Sequence, residues 1–244
     1  MGQLAGKGAI VTGGARGIGR AIVRRLAADG ATVVFSYLKN DAAAQEVADE
    51  TGAFAVRADQ ASLADINRLF ERADAHLNET GLDIAVCNAA DATPKAIGDV
   101  TEEDYDYYMA VNAKGPFFFI QQAGRRLRDG GRIIAMSTLN TRMHPARGAL
   151  YTGGKGALEN FVKVAALSYG SRGITANILS PGATDTEGLR DANPGSTFED
   201  IVGMTALGRL GQPADIANVV AMLAGPDGAW ITGQNIAVDG GILL

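Results

Sequence analysis

Ala9-Ile10-Val11-Thr12-Gly13-Gly14-Ala15-Arg16-Gly17-Ile18-Gly19, followed by a helix-like segment through Leu26, is the stretch that decides the fold. An apolar strand runs into a glycine turn and then into a helix start. Glycines let the backbone turn tightly and approach a pyrophosphate, while free N–H groups and the dipole at the helix start favour its negative charge. The spacing is Gly-x-x-x-Gly-x-Gly, not Gly-x-Gly-x-x-Gly. Alone, the cluster reads equally well as a packing turn of an α/β unit, and its meaning rests on the residues farther along the chain.

Beyond the turn, short apolar or β-branched runs alternate with longer stretches of helical period, the pattern of repeated βα units around a parallel sheet. Strands are expected near Gly8-Thr12, Thr32-Tyr37, Ala53-Arg57, Ile84-Cys87, Arg132-Ser137, Thr175-Leu179 and Asn235-Val238. Several are nearly all apolar, as strands covered on both faces are. The expected fold is α/β: a single-domain, Rossmann-like, doubly wound parallel sheet of about seven strands, spanning residues 1–244. Ser62 with Asp65 and Thr101 with Asp104 have capping-box spacing. Pro213 marks a helix start, after which Ile216, Val219, Val220 and Leu223 recur on one face. From Ala183 to about Gln212, Gly188, Pro194, Gly195, Gly203, Gly208 and Gly211 break any long helix. That segment is expected to be a mobile substrate flap.

The 22 Lys plus Arg against 27 Asp plus Glu give a formal charge of -5, too acidic for broad phosphate-backbone binding, so no nucleic-acid partner is expected. One cysteine, Cys87, excludes an internal disulfide framework and a multi-cysteine zinc site. Two histidines, His76 and His144, are too few for most metal constellations, and no metal is expected. Met1 to Ile10 lacks a charged-then-apolar signal pattern, and no apolar run approaches the roughly 18 residues of a membrane span. The expectation is a soluble, cytoplasmic protein with no membrane partner.

An NAD-selective site generally places a carboxylate near the end of the second strand, about 20 residues beyond the turn, for the ribose 2′-hydroxyl. Here that strand end reads Phe35-Ser36-Tyr37-Leu38-Lys39, without an acid. Arg16 and Lys39, flanking Tyr37, are placed to meet an additional phosphate, since guanidinium suits phosphate oxygens well. Either base also reads as a solvated surface charge. The pattern argues for NADP(H), with Gly13, Arg16, Gly17, Ile18 and Gly19 around its phosphates. Farther on, Tyr151-Thr152-Gly153-Gly154-Lys155 puts a phenol and an ammonium four residues apart, on one face if helical. A phenol with a pKa of about 10 is a poor acid–base group near neutrality, but an adjacent cation favours the phenolate.

The glycine turn and Tyr-x-x-x-Lys at this separation resemble the short-chain dehydrogenase/reductase family, specifically its NADP-preferring group that includes 3-oxoacyl carrier-protein reductases. The resemblance covers essentially the whole chain. Asp59, Cys87-Asn88-Ala89-Ala90, Asn112, Pro181-Gly182 and Asp239-Gly240-Gly241 follow in the family's order. It implies that Tyr151 donates the proton in reduction, that Lys155 lowers its pKa and binds the nicotinamide ribose, and that Asn112 supports a water-linked proton path. The family's serine, 13 residues before the tyrosine, falls on Thr138, with Ser137 beside it as the competing hydroxyl. Thr supplies the same donor and acceptor with a more restricted rotamer. The resemblance further implies that Asp59 contacts the adenine amino group with Gln60 supplying backbone contacts, that Asn88, Ala89 and Ala90 border the adenosine ribose and nicotinamide half, and that Pro181, Gly182 and Thr186 shape the nicotinamide pocket. Ala90 replaces a glycine, which would be strained if the backbone there needed positive φ.

The expected reaction is NADPH-dependent reduction of a ketone to a secondary alcohol, with either a 3-oxoacyl thioester or a polyketide-like carbonyl as substrate. Reduction or dehydrogenation of a free cyclic ketone, naphthol, quinone or sugar is the alternative, and a cofactor-binding regulator or an assembly scaffold are the non-enzyme readings. Leu139 to Ala149, with Arg142, Met143, His144 and Arg147, is expected to border the substrate mouth. Arg125, Arg126, Arg128 and Arg172 are a candidate landing site for an acidic carrier partner. The family resemblance implies a homotetramer built on the long helices and the C-terminal segment.

Overall fold

The computed structural model describes residues 2–244. Strands β1 (Gly8–Val11), β2 (Thr32–Tyr37), β3 (Phe54–Arg57), β4 (Leu82–Cys87), β5 (Leu127–Met136), β6 (Thr175–Pro181) and β7 (Asn235–Val238) form one sheet in the order β3-β2-β1-β4-β5-β6-β7. Every pairing is parallel. The helices, in chain order, are α1 (Gly17–Ala28), α2 (Asp41–Thr51), α3 (Leu63–Leu77), α4 (Glu102–Met109), α5 (Gly115–Arg126), α6 (Asn140–Met143), α7 (Ala149–Tyr169), α8 (Glu187–Ala192), α9 (Glu199–Met204) and α10 (Pro213–Ala224). None among the described residues is long and apolar enough to cross a membrane.

Strand side chains alternate between two cores, because successive residues of a strand face opposite sides of the sheet. Ala9, Val11, Val33, Phe35, Ile84 and Val86 pack with Ile22, Val23 and Leu26 of α1, Val47 of α2 and Val220 and Leu223 of α10. Ile10, Val34, Ala85, Ile133 and Ile178 pack with Leu69 and Phe70 of α3, Phe119 of α5 and Leu158 and Val162 of α7. Burial on both faces is why these strands read as continuous apolar runs.

The chain winds from β1 out to β3, then returns to lay β4 against the other side of β1, pairing Ala9 with Ile84 and Val11 with Val86. Strand order therefore reverses between β1 and β4, and in such sheets ligands bind outside the carboxyl ends of the strands at that point.

Two local details differ from the sequence reading. β5 starts at Leu127 rather than Arg132: Leu127 pairs with Leu82, the register then shifts, and regular pairing resumes at Arg132 with Ile84. Gly130, at φ 78°, carries the excursion that hides the early start. Ser62 caps α3 by accepting the Asp65 N–H, but the Asp65 carboxylate accepts from Asp59 N at 2.9 Å instead of returning to Ser62. Thr101 and Asp104 form the full reciprocal box, and Pro213 opens α10.

Phe70 is fully buried and tilts against Phe119 at 5.1 Å between ring centroids. Phe70→Ala should cost about 3–5 kcal/mol and lower the thermal midpoint by on the order of 10 °C. A calorimetric scan showing an unchanged midpoint would contradict this description of the core.

Candidate active site

Six of the seven strands deliver a segment of interest to the same carboxyl edge: the glycine turn after β1, Tyr37 to Lys39 at β2, Asp59 and Gln60 after β3, Asn88 to Ala90 after β4, Ser137 and Thr138 after β5, and Pro181 and Gly182 at β6. The turn needs its glycines for different reasons. Gly13 and Gly17 stand at φ 69° and 53°, where a Cβ is strained, and a Cβ on Gly19 would lie 2.0 Å from the Gly13 carbonyl oxygen. Arg16 occupies the N-cap of α1 in extended conformation and supplies no side-chain cap. The Thr12 hydroxyl oxygen accepts from both Asn88 N and Ala89 N at 2.9 Å, and Asn88 Nδ2 donates to the carbonyls of Thr12 and Gly13 at 2.9 and 3.3 Å. These bonds lace β1 to β4 at the reversal point. Ala90 is not among the non-glycine residues at positive φ, which are Asn78, His144 and Phe198, so its methyl group brings no backbone strain.

Arg16 and Lys39 are both exposed, and the Arg16 guanidinium lies 4.0 Å from Asp191 of α8. Burial, and then the Asp41 carboxylate at the start of α2, raise the Tyr37 phenol above its ordinary value. Asp41 lies just past the acid-free strand end and is engaged with Tyr37. Ile18 packs against the α1-side core. The Asp59 carboxylate accepts from Ala61 N at 2.8 Å. Gln60, expected from sequence to supply backbone contacts, turns its side chain inward: Nε2 donates to Ala89 O at 2.6 Å and Val111 O at 3.0 Å, and its buried Oε1 has no partner. Thr186 caps α8 through its hydroxyl and stands beside Gly17. Gly182 lies so close to Asp239 that a Cβ would come within 2.8 Å of its Cα.

Tyr151, Lys155 and Thr138 come together where α7 passes the end of β5. Lys155 is 1% exposed and donates from Nζ to the Met136 carbonyl at 2.6 Å, with the Tyr151 ring centroid 5.9 Å away. Burial depresses the ammonium pKa to about 8. Burial also raises the Tyr151 phenol above its ordinary value, and the Thr138 hydroxyl opposes this only in part. Desolvation therefore sets the direction at Tyr151, and a phenol raised above its ordinary value is protonated at neutral pH. Of the two adjacent hydroxyls, Thr138 faces Tyr151, whereas Ser137 donates to Glu159 at 2.6 Å.

Asn112 is fully buried in a π-helical turn, Ala110–Lys114, between α4 and α5. Such turns are frequent at functional sites. Its amide clamps the Asp91 backbone from both sides, accepting from N at 3.2 Å and donating to O at 2.9 Å. Gly154 lets α7 approach, since a Cβ there would come 2.7 Å from the Asn112 Cβ. Cys87 is buried in β4, with its thiol pushed up to about 12 by desolvation.

Of the arginine cluster only Arg125 is exposed without an ion pair among the described residues. Arg126 pairs with Asp74, Arg128 with the buried Asp83 and Arg172 with Asp129. His76 stacks on Phe54 at 4.5 Å, and His144 is exposed in left-handed conformation at the end of α6. Sequence reasoning missed Asp83, Gln60's inward side chain and Glu159; only the last had a signal, its spacing of four residues from Lys155.

With this geometry in place, comparisons with known proteins agree along the whole chain. A family model described as Enoyl-(Acyl carrier protein) reductase matches residues 13–243. The hydroxynaphthalene reductase-like protein Arp2 of Metarhizium brunneum is 42% identical over 258 residues, which cover 98% of this chain and 96% of that protein. The solved short-chain dehydrogenase/reductase from Serratia marcescens superposes with a TM-score of 0.93 at 38% identity, covering 99% of this chain and 100% of the other. The angucycline C-6 ketoreductase LanV, solved with bound NADP, gives 0.93 at 41% identity, covering 99% and 97%.

The depressed Lys155 pKa has a testable sign. The unfolded lysine binds its proton up to about pH 10.4, the folded one only to about 8. The penalty of burying the charge is therefore fully present below pH 8 and is relieved as pH rises toward 10. The thermal midpoint of the wild type should improve relative to Lys155→Met between pH 7 and 9.5; a difference independent of pH would contradict the burial.

Proposed function

The chain belongs to the short-chain dehydrogenase/reductase family and is an oxidoreductase acting on carbonyl or alcohol groups; from that premise we propose that it reduces a free, naphthol-type or polyketide-like cyclic ketone with NADPH. The observation that carries the proposal is the meeting of Tyr151, Thr138, Lys155 and Asn112 at the carboxyl edge beside the glycine turn. The relatives' names, hydroxynaphthalene reductase-like and angucycline ketoreductase, support a cyclic ketone. A carrier-bound 3-oxoacyl thioester is the weaker substrate, because three of the four arginines that would receive an acidic carrier are already ion-paired, leaving Arg125.

The residues present fit a dinucleotide phosphate. The cradle of Gly13, Gly17 and Gly19 is one that a Cβ would strain or fill. The strand end beyond Tyr37 has Lys39, and Arg16 stands exposed at the N-cap of α1. In this reading Gly13, Arg16, Gly17, Ile18, Gly19, Tyr37 and Lys39 hold the phosphates and adenosine ribose, Asp59 and Gln60 the adenine, and Asn88, Ala89 and Ala90 the sugar-linked middle. Pro181, Gly182, Thr186 and Lys155 hold the nicotinamide end. Bound NADPH supplies a hydride to the carbonyl carbon.

The chain's own residues do the rest. Thr138 donates a hydrogen bond to the carbonyl oxygen, where negative charge develops. Tyr151, whose phenol the burial keeps protonated, gives its proton to that oxygen. A protonated phenol has a proton to give to the strongly basic alkoxide oxygen that develops; the reverse oxidation needs the phenolate and gains with rising pH. Asn112, with Asp91 locked on both sides, leads the replacement proton inward from solvent. The 183–212 segment acts as the flap over the substrate, tied to α1 through Glu187 and Arg20 at 3.1 Å. The exposed Val164, Leu167, Trp230 and Leu244 suit a homotetramer formed through α7 and the C-terminal segment.

An NADPH-oxidation panel of cyclic aromatic ketones, quinones, sugars and acyl thioesters tests the reading, and the cyclic ketones should turn over best. Tyr151→Phe should retain NADPH binding and lose at least a thousandfold in kcat, on the order of a positioned acid's contribution; near-normal turnover would sink the assignment. Arg16→Ala should weaken NADPH binding by roughly 10-fold or more, as for a lost charge-assisted bond, with NADH affinity unchanged. Equal losses for both nucleotides would remove Arg16 from the 2′-phosphate.

A further inference from the structure

Helix α7 meets the end of β5 through three successive turns of one face. Tyr151 faces Thr138, Lys155 donates to the Met136 carbonyl at 2.6 Å, and Glu159 accepts from the Ser137 hydroxyl at 2.6 Å. The first two belong to the reaction proposed above. Glu159 has no part in it, yet it does more than close the ladder. The same oxygen, Oε1, also accepts from the Thr141 hydroxyl at 2.9 Å. Ser137 and Thr141 stand on either side of Thr138, one before it at the end of β5 and one after it in α6.

The Thr138 side chain and carbonyl make local bonds, the hydroxyl oxygen accepting from Asn140 N at 3.2 Å and the carbonyl accepting the Thr141 hydroxyl at 3.0 Å, while the backbone on either side is tied to β6, Ser137 N donating to Leu179 O at 2.7 Å and Leu139 N to Pro181 O at 3.0 Å. Beyond Leu139, the N–H groups of residues 141–143 make only local backbone bonds, to carbonyls of 138 and 139. The bonds to Glu159 are different, because they reach from the segment to the rigid helix that carries Tyr151 and Lys155. A carboxylate is also unusual here. It lies partly buried, four residues from a lysine, but that ammonium has turned to Met136, and Glu159 takes part in no ion pair among the described residues. Its contacts are two neutral hydroxyl donors, and hydrogen bonds to a charged acceptor are stronger than those between neutral groups.

We propose that Glu159 is a positioning residue that pins both flanks of Thr138 to α7 and so fixes the distance between the Thr138 hydroxyl and the Tyr151 phenol. The claim rests on the reductase reading above and extends it by assigning Ser137 a role: the residue beside the family's serine position is the anchor of the loop, not a substitute hydroxyl. It also accounts for threonine at 138. A β-branched side chain has few rotamers, and a fixed backbone then leaves its hydroxyl one direction.

The test is Glu159→Ala against Glu159→Gln, assayed with NADPH and the best ketone of the panel. Glu159→Ala should lose about 10²-fold in kcat, the scale of an ångström-level misplacement, with the NADPH dissociation constant unchanged within twofold. Glu159→Gln keeps an oxygen that accepts both hydroxyls and should recover to within about threefold of wild type. Ser137→Ala/Thr141→Val removes the same bonds from the other side; it should match Glu159→Ala, and the triple variant should lose no more than either. This double variant also serves if Glu159→Ala does not fold. Hydrogen exchange gives a readout independent of turnover: the amides of 139–143 should exchange faster in Glu159→Ala while those of β5 and β6 do not change. Folded Glu159→Ala or double variant with kcat within twofold of wild type, additive losses in the triple variant, or unchanged exchange at 139–143 would overturn the proposal. Failure of the reductase reading looks different: the wild type turns over no ketone, while the exchange result still decides whether Glu159 pins the segment.

Discussion

A lysine ammonium with almost no exposed surface, resting on one backbone carbonyl, is the constraint around which this structure is arranged. Taking that charge out of water costs enough to depress its pKa to about 8, and a fold tolerates this only where the position is fixed by something stronger. The fixing comes from packing. Leu158 and Val162, one and two turns farther along α7, are fully buried in the core beneath, and Gly154 removes the side chain that would hold the helix away from Asn112. Docked in this way, α7 has no freedom to move Lys155 outward, and Tyr151 is carried to the same place beside Thr138. The hydrophobic contacts hold a polar arrangement that would not hold itself.

The second constraint is topological. Because the sheet reverses between β1 and β4, the two loops that leave those strands diverge and open a crevice, and the hydrogen bonds from Asn88 and Ala89 to Thr12 stop it from opening farther. Glycines at 13, 17 and 19 then keep the floor of the crevice bare of side chains. The residues proposed for phosphate recognition and for proton transfer thus lie along one edge, the former at β1 and β2 and the latter at β5 and α7, and the loop after β4 is bonded to Gln60 on one side and Asn112 on the other. Asp65 shows the economy of the arrangement, since it starts α3 and steadies the backbone of Asp59 at once.

Much of this was legible in the sequence. The strands could be read because both faces of each are buried, and the turn and Tyr-x-x-x-Lys because their spacing is local. What could not be read depends on contacts between distant segments. The early start of β5 is masked by Gly130 and Gly131, whose excursion looks like a loop. Whether Thr138 or Ser137 faces Tyr151 depends on Glu159, 22 residues from Ser137. Most of the apparent basic patch dissolves because Asp74, Asp83 and Asp129, far off in sequence or facing another way, reach three of its four arginines. The burial of Tyr151 was illegible for the same reason: a neighbouring cation is visible in a motif, but desolvation is a property of the folded site.

The proposed chemistry turns on where a carbonyl oxygen comes to rest. A crystal structure of the protein with NADP and a slowly reacting naphthol-type ketone measures this directly. The oxygen should lie within hydrogen-bond distance of both the Tyr151 hydroxyl and the Thr138 Oγ1, with Ser137 still bonded to Glu159. An oxygen bound instead by Ser137, or remote from Tyr151, would contradict that chemistry.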